Sequence, residues 1–246
     1  VQGVWDGFYV TAAGATGRIE SNITQGDNRR LAGDGTFFNL GNGDATFSYR
    51  ATLADPDFLT GTGETPTGRL TLKAGLETFA GVGGDAAVMP AEYHLVPSRG
   101  EATGISGLLL HPFPGIATPD MSGSGEGPFV SLPDPSIPDD VPDPNFKGLG
   151  KVQISPLSAR GTFAGRLEFS RVPGQQTIFS WPLLATASDN GRVIMVAQGP
   201  SGRAIYDGVV IPPPDAESKT FIGGFFKLQF IDGQSHFGAV NFSVTR

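Results

Sequence analysis

Between His111 and Asn145 the chain reads HPFPGIATPDMSGSGEGPFVSLPDPSIPDDVPDPN, and nine of its 20 prolines lie there. Proline has no backbone N–H and pushes the preceding residue toward extended conformations. The stretch is therefore barred from helix and from the middle of a sheet. It is expected to be a connecting belt, residues 111–146, between a first arm (1–110) and a second (147–246), with one continuous domain as the alternative. Between Arg99 and Lys147 every formal charge is negative.

Both arms read as β-structure. Phenylalanine at 18 and glycine at 36, with few charged residues, describe short strands joined by tight turns. GRIESNIT (17–24) places Ile19 and Ile23 on one face, and ATFSYRATL (45–53) points Phe47 and Tyr49 one way and Thr46, Ser48 and Arg50 the other. GRLTLKAG does the same with Leu70 and Leu72. Turn chemistry stands at Gly41-Asn42-Gly43, Asp55-Pro56-Asp57, Pro173-Gly174 and Asp189-Asn190-Gly191. FFKLQFI and QSHFGAVNFSV flank Asp232-Gly233. A two-residue turn there pairs Gln229 with His236, makes Phe226, Leu228, Phe230, Phe237 and Ala239 a core face, and leaves His236 on the wetter one. Nothing has a sustained helical period. The expected fold is all-β: antiparallel meanders forming one or two barrels or sandwiches.

An offset of 132 residues lays Phe37 on Phe169 and Phe47-Ser48-Tyr49 on Phe179-Ser180-Trp181. Duplication of one meander and chance both explain so short an echo.

A net charge of −7 and a pI near 4.9, with scattered lysines, disfavour nucleic acid and anionic membranes as partners. The absence of cysteine excludes disulfides and thiolate chemistry, and no apolar run is long enough for a helical span. A start at Val1 is what a processed product shows. Low lysine beside abundant Gly, Thr, Ser and Asn matches exported β-proteins, so the expected setting is secreted, periplasmic or cell-surface. Asn22-Ile-Thr24 and Asn241-Phe-Ser243 fit the glycosylation acceptor pattern.

Gly3-Val4-Trp5 resembles the G-x-W that opens the first strand of lipocalins and related calycin barrels. That resemblance implies closed antiparallel sheets with the indole plugging one end, and an apolar ligand inside. No second lipocalin motif accompanies it.

Candidate chemistry is sparse. Glu92 and His94 share one face of a strand, and with His111 they would form an acid/base couple or metal-ligand nucleus. A solvent-facing strand pair is the plainer reading. Asp134, Asp139, Asp140 and Asp143 form an oxygen-rich loop of the kind that holds calcium, although the EF-hand spacing is absent; a solvated acidic belt is the plainer reading here too. No G-x-S-x-G occurs. WDGFY (5–9) and Ile205-Tyr206-Asp207-Gly208 read as core plugs followed by a turn or bulge. Three functions follow. The first is a non-catalytic exported protein acting through its surfaces as a structural or interaction subunit, with a protein partner or self-assembly. The second is a small-molecule or glycan-binding barrel lined by Trp5, Tyr49 and Trp181. The third is a hydrolase or isomerase using Glu92 and His94.

Overall fold

The computed structural model describes residues 2–41, 43–55 (without the Asp55 side chain), 57–81, 84–114, 120–171, 176–211 and 219–245. Among these residues all regular structure is β-strand, and no helix occurs. The chain divides into two compact units, residues 1–79 with 86–111, and residues 80–85 with 112–246. The turns expected at Asn42, Pro56 and Pro173-Gly174 lie outside the described residues.

The first unit contains β1 (Gly3–Thr11), β2 (Thr16–Gln25), β3 (Arg30–Leu40), β4 (Gly43–Asp55), β5 (Phe58–Thr65), β6 (Gly68–Gly75), β7 (Glu77–Phe79), β8 (Ala86–Pro97) and β9 (Thr103–His111). Each strand pairs antiparallel with its neighbour. β8 pairs with β6 and β9 with β1, so eight strands close into a ring, while the short β7 lies along one end of β8. The second unit contains β10 (Gly123–Leu132), β11 (Lys147–Ile154), β12 (Phe163–Ser170), β13 (Thr177–Ala187), β14 (Arg192–Gly199), β15 (Gly202–Ile211), β16 (Thr220–Phe230) and β17 (Ser235–Thr245), closed by β10 on β17.

Period-two alternation sends one set of side chains into each ring. The first interior is filled by Trp5, Tyr9, Ile19, Phe37, Phe47, Tyr49, Tyr93 and aliphatic partners, the second by Phe129, Phe169, Phe179, Trp181, Phe226, Phe242 and theirs. Two of these rings lie against a neighbouring strand position that carries no side chain. Gly33 pairs with Tyr49 across the sheet, and a Cβ on Gly33 would stand 2.5 Å from the Tyr49 ring. A Cβ on Gly199 would overlap the Trp181 ring.

The 132-residue echo falls on equivalent positions, the third and fourth strands of each ring. Phe37 lies 4.7 Å from Phe47 and Phe169 lies 5.0 Å from Phe179, and each pair is extended by the aromatic two residues on, Tyr49 or Trp181. The registers differ: Phe37 faces Ala45 where Phe169 faces Phe179.

Two expectations need correcting. The belt is not wholly outside the sheets, since Gly123–Leu132 is β10, the strand that closes the second ring. Its proline is accommodated because the β10–β17 ladder skips Gly127 and Pro128 and resumes at Phe129 in the same register, where no N–H is required. The Asp-Gly pairs at 6–7 and 207–208 are not turns but lie inside β1 and β15. There they place Trp5 and Tyr9, and Tyr206, on the inward face. Asp6 and Asp207 are instead held by Arg18 and Arg192, each at 2.8 Å.

Gly199→Ala is expected to lower stability by about 1–3 kcal/mol through overpacking against Trp181. Gly104→Ala, where nothing lies within 4 Å of the new methyl, is expected to stay within about 0.5 kcal/mol. Thermal melts of the two variants followed by far-UV circular dichroism test this; equal melting temperatures would refute the packing argument.

Candidate functional site

Glu92 and His94 do share a face of β8, and both are exposed. Glu92 accepts a hydrogen bond from Ser106 Oγ at 2.9 Å, and His94 stands between Thr71 and Gly104. His111 is elsewhere. It lies seven residues along β9 from Gly104, about 23 Å at the ordinary strand rise. Its ring stacks on Trp5 at 5.2 Å, with Nδ1 3.0 Å from the Val4 carbonyl oxygen. The three groups therefore do not meet in one cleft, as acid/base work requires.

Trp5, Tyr49 and Trp181 are almost wholly buried. Tyr49 Oη lies 3.2 Å from Ser21 Oγ, and Trp181 stacks on Phe179 at 3.9 Å. All three rings are interior fill. The second barrel holds an enclosed void of about 10 Å³ of water-accessible space, room for about one water molecule. It is bounded by Leu167, Met195, Phe226, Phe242 and the buried Tyr206, whose hydroxyl has no hydrogen-bond partner among the described residues. Burial, assisted by Asp207, raises its pKa and keeps the phenol neutral.

The belt carboxylates are engaged by their own loop. Asp134 accepts from Ser136 N at 2.9 Å and Ser136 Oγ at 2.6 Å, and pairs with Lys227 Nζ at 3.1 Å. The Ser136 hydroxyl, then its N–H and Lys227, lower the Asp134 pKa against the opposing effect of burial. Asp140 accepts from Asp134 N at 2.7 Å, and Asp143 from Asn145 N at 2.9 Å. Asp139 sits at a turn with φ 60°. Among the described residues no group of three or more His, Asp or Glu is placed to hold a metal ion.

These bonds shape residues 133–146 into a cap over one end of the second barrel. Phe146 is buried against Phe129 (5.3 Å) and Phe226 (6.3 Å), and the His236 imidazole lies flat on it at 3.9 Å and 4°. His236 was expected on the opposite face. The turn explains the difference: Phe230 N donates to Gln234 O, Gly233 N donates to Phe230 O, and Gly233 has φ 89°. The loop therefore has three residues closed by a left-handed glycine, not two. Leu228, not Gln229, faces His236. A one-residue slip exchanges the two faces of a strand, so His236 turns toward the cap while Phe237 and Ala239 turn outward.

The same slip exposes a feature the sequence reading missed. Outside the second barrel Phe225 stacks on Phe237 at 5.7 Å and 11°. Val130, Val209, Ile211, Phe221 and Phe225 are 46–56% exposed. Cross-strand pairing joins them: Val130 with Ala239, Ala239 with Phe225, Val209 with Gly223 and Ile211 with Phe221. The adjacent pair Phe225-Phe226 was the available signal, because consecutive strand residues cannot both point inward.

No protein-family profile matches the chain, and no curated protein matches it. Among solved structures, a provisionally assigned outer membrane protein of Bacteroides fragilis is 12% identical over 100% of this chain and 98% of its own, with a TM-score of 0.26. So distant a likeness assigns neither fold nor function. Among the described residues no helix is long and apolar enough to cross a membrane.

Burial lowers the His236 pKa, Asp143 and Asp232 oppose that shift, and Arg171 adds to it. The folded state therefore favours neutral imidazole. Its contribution to stability is full above the unfolded pKa of about 6.5 and is lost as pH falls through the lower folded value. Wild type is expected to lose more melting temperature than His236→Phe between about pH 7.5 and pH 5. Parallel slopes for the two proteins would contradict this.

Proposed function

We propose that this chain is a non-catalytic β-protein that works through its outer surface as an interaction subunit in an exported setting. The observation that carries the reading is the apolar face on β15, β16, β17 and β10. Monomeric soluble proteins seldom expose contiguous apolar areas beyond a few hundred Å², and those that do commonly use them for contact. Both interiors are occupied by the protein's own aromatic rings, and the acid and imidazole side chains are dispersed over strand faces and a barrel end. The acidic, lysine-poor composition supports the exported setting by analogy alone.

An environment-sensitive apolar dye is expected to bind the native chain. A Phe221→Ser/Phe225→Ser variant should lose at least half of that signal while keeping its melting temperature within a few degrees, since both side chains project outward. Undiminished dye binding by a folded double variant would remove the face from consideration and the reading with it.

A further inference from the structure

We propose that the outer face of the first unit carries a site for a tetrahedral oxyanion, a sulfate or phosphate group borne as an ester on a sugar chain. The site is separate from the apolar face of the second unit and does not depend on it. Side chains alternate along β3, β4 and β5. Leu31, Ala51 and Leu59 fill the interior, while Arg30, Arg50, Thr52, Thr60 and Thr62 stand exposed outside. These five border an open hollow of about 740 Å³. Arg30 faces Thr52 and Arg50 faces Ala32. The two arginines are therefore diagonal neighbours on adjacent strands, about 7–8 Å apart at the backbone, and both side chains reach one bound group.

Charge sets this hollow apart. The chain has 24 Asp and Glu against 17 Lys and Arg, yet among the described residues the lining holds two arginines and no carboxylate. Asp34 and Glu64, the carboxylates diagonal to Arg50, border a different hollow together with Glu20, and among the described residues that one holds no Lys or Arg. Arginines elsewhere are engaged: Arg18 by Asp6 and Arg192 by Asp207, each at 2.8 Å, and Arg166 by Ser180 Oγ at 2.7 Å. The Arg30 and Arg50 guanidinium groups make no hydrogen bond or ion pair among the described residues. Neighbouring like charges on a sheet are unfavourable. A dianion between them removes that cost, and guanidinium groups match its oxygens bidentately.

The surroundings of the arginine pair fit an extended chain better than a single ion. Thr52, Thr60 and Thr62 set hydroxyls beside the arginines, and the pairing continues onto β6 with Thr71 beside Thr62 and Lys73 beside Thr60. Lys73 stands two strands from Arg50, on the order of 10 Å away. Glu92 flanks Lys73 on the far side, where it accepts from Ser106. Hydroxyls spaced between cations suit a polyhydroxylated chain that carries ester anions at intervals. A nucleic acid fits less well, because the described lining holds no exposed aromatic ring on which a base could stack.

Fluorescence anisotropy of a fluorescein-labelled dextran sulfate oligosaccharide, titrated with the full chain at low salt to limit screening, tests this. Dextran sulfate is expected to bind, and unsulfated dextran of the same length is expected not to compete. Arg30→Gln/Arg50→Gln should weaken binding by about tenfold or more, the effect of removing charge-assisted contacts, and Arg50→Gln alone should do so less strongly. Lys219→Gln, at an exposed lysine of the second unit, should bind as wild type does. Circular dichroism checks that each variant is folded, and Arg50→Gln serves as the reading if the double variant does not fold. Inorganic sulfate competing as well, group for group, as unlabelled dextran sulfate leaves a free-ion site and overturns the sugar-chain assignment. Tighter binding of a labelled single-stranded oligonucleotide overturns it as well. Equal binding by wild type and the arginine variants, or no binding by either, overturns the site itself. Apolar-dye binding is read separately, so the exposed-face reading stands or falls on its own.

Discussion

The interior volume of an eight-stranded ring is the constraint from which the other features follow. Such a barrel is just wide enough for side chains to meet at its centre, and here aromatic rings do most of the filling. Tyr9, Phe37, Phe47 and Tyr93 pack edge-to-face or tilted in the first unit; Phe129, Phe169, Phe179 and Phe226 form the corresponding cluster in the second. Each ring needs space on the strand beside it, and glycine provides that space at Gly33 and Gly199. The high glycine count is thus partly a packing requirement and not merely a supply of turns.

Closure has a consequence for activity. Aromatic side chains fill both barrel interiors, and within each ring every strand is paired on both edges. What remains is the outer face, which mixes Thr, Ser, Arg, Glu and Asp with apolar side chains. An exposed apolar stretch on the second unit is centred on Phe225, where consecutive phenylalanines put one ring on the outside of β16. The cap of residues 133–146 contributes from the other direction: it completes the barrel end with Phe146 and neutralises Lys227 at the border of the apolar face.

A single extra loop residue decides which side chains face out. In the last hairpin Gly233, in the left-handed region, adds a third loop position, and β17 shifts by one. His236 goes to the aromatic cap and Phe237 to the surface beside Phe225. Strand propensity is blind to this, because Phe237 and Ala239 are equally acceptable on either face and only the pairing register distinguishes them.

Strand identity and the absence of helical periodicity were readable from the residues alone, since alternation at Ile19 and Ile23, Phe47 and Tyr49, and Leu70 and Leu72 is a local property of the backbone. The inward aromatics of the third and fourth strands were readable even as an echo between the arms. Tertiary structure alone decided three things: that β10 joins the sheet despite Pro128, that Asp134, Asp140 and Asp143 are held by neighbouring N–H groups, and that Glu92 and His94 lie far along the sheet from His111. The first and third depend on which strand supplies the neighbour, which ring closure settles through contacts between residues remote in the chain; the second depends on how the loop folds back on its own N–H groups.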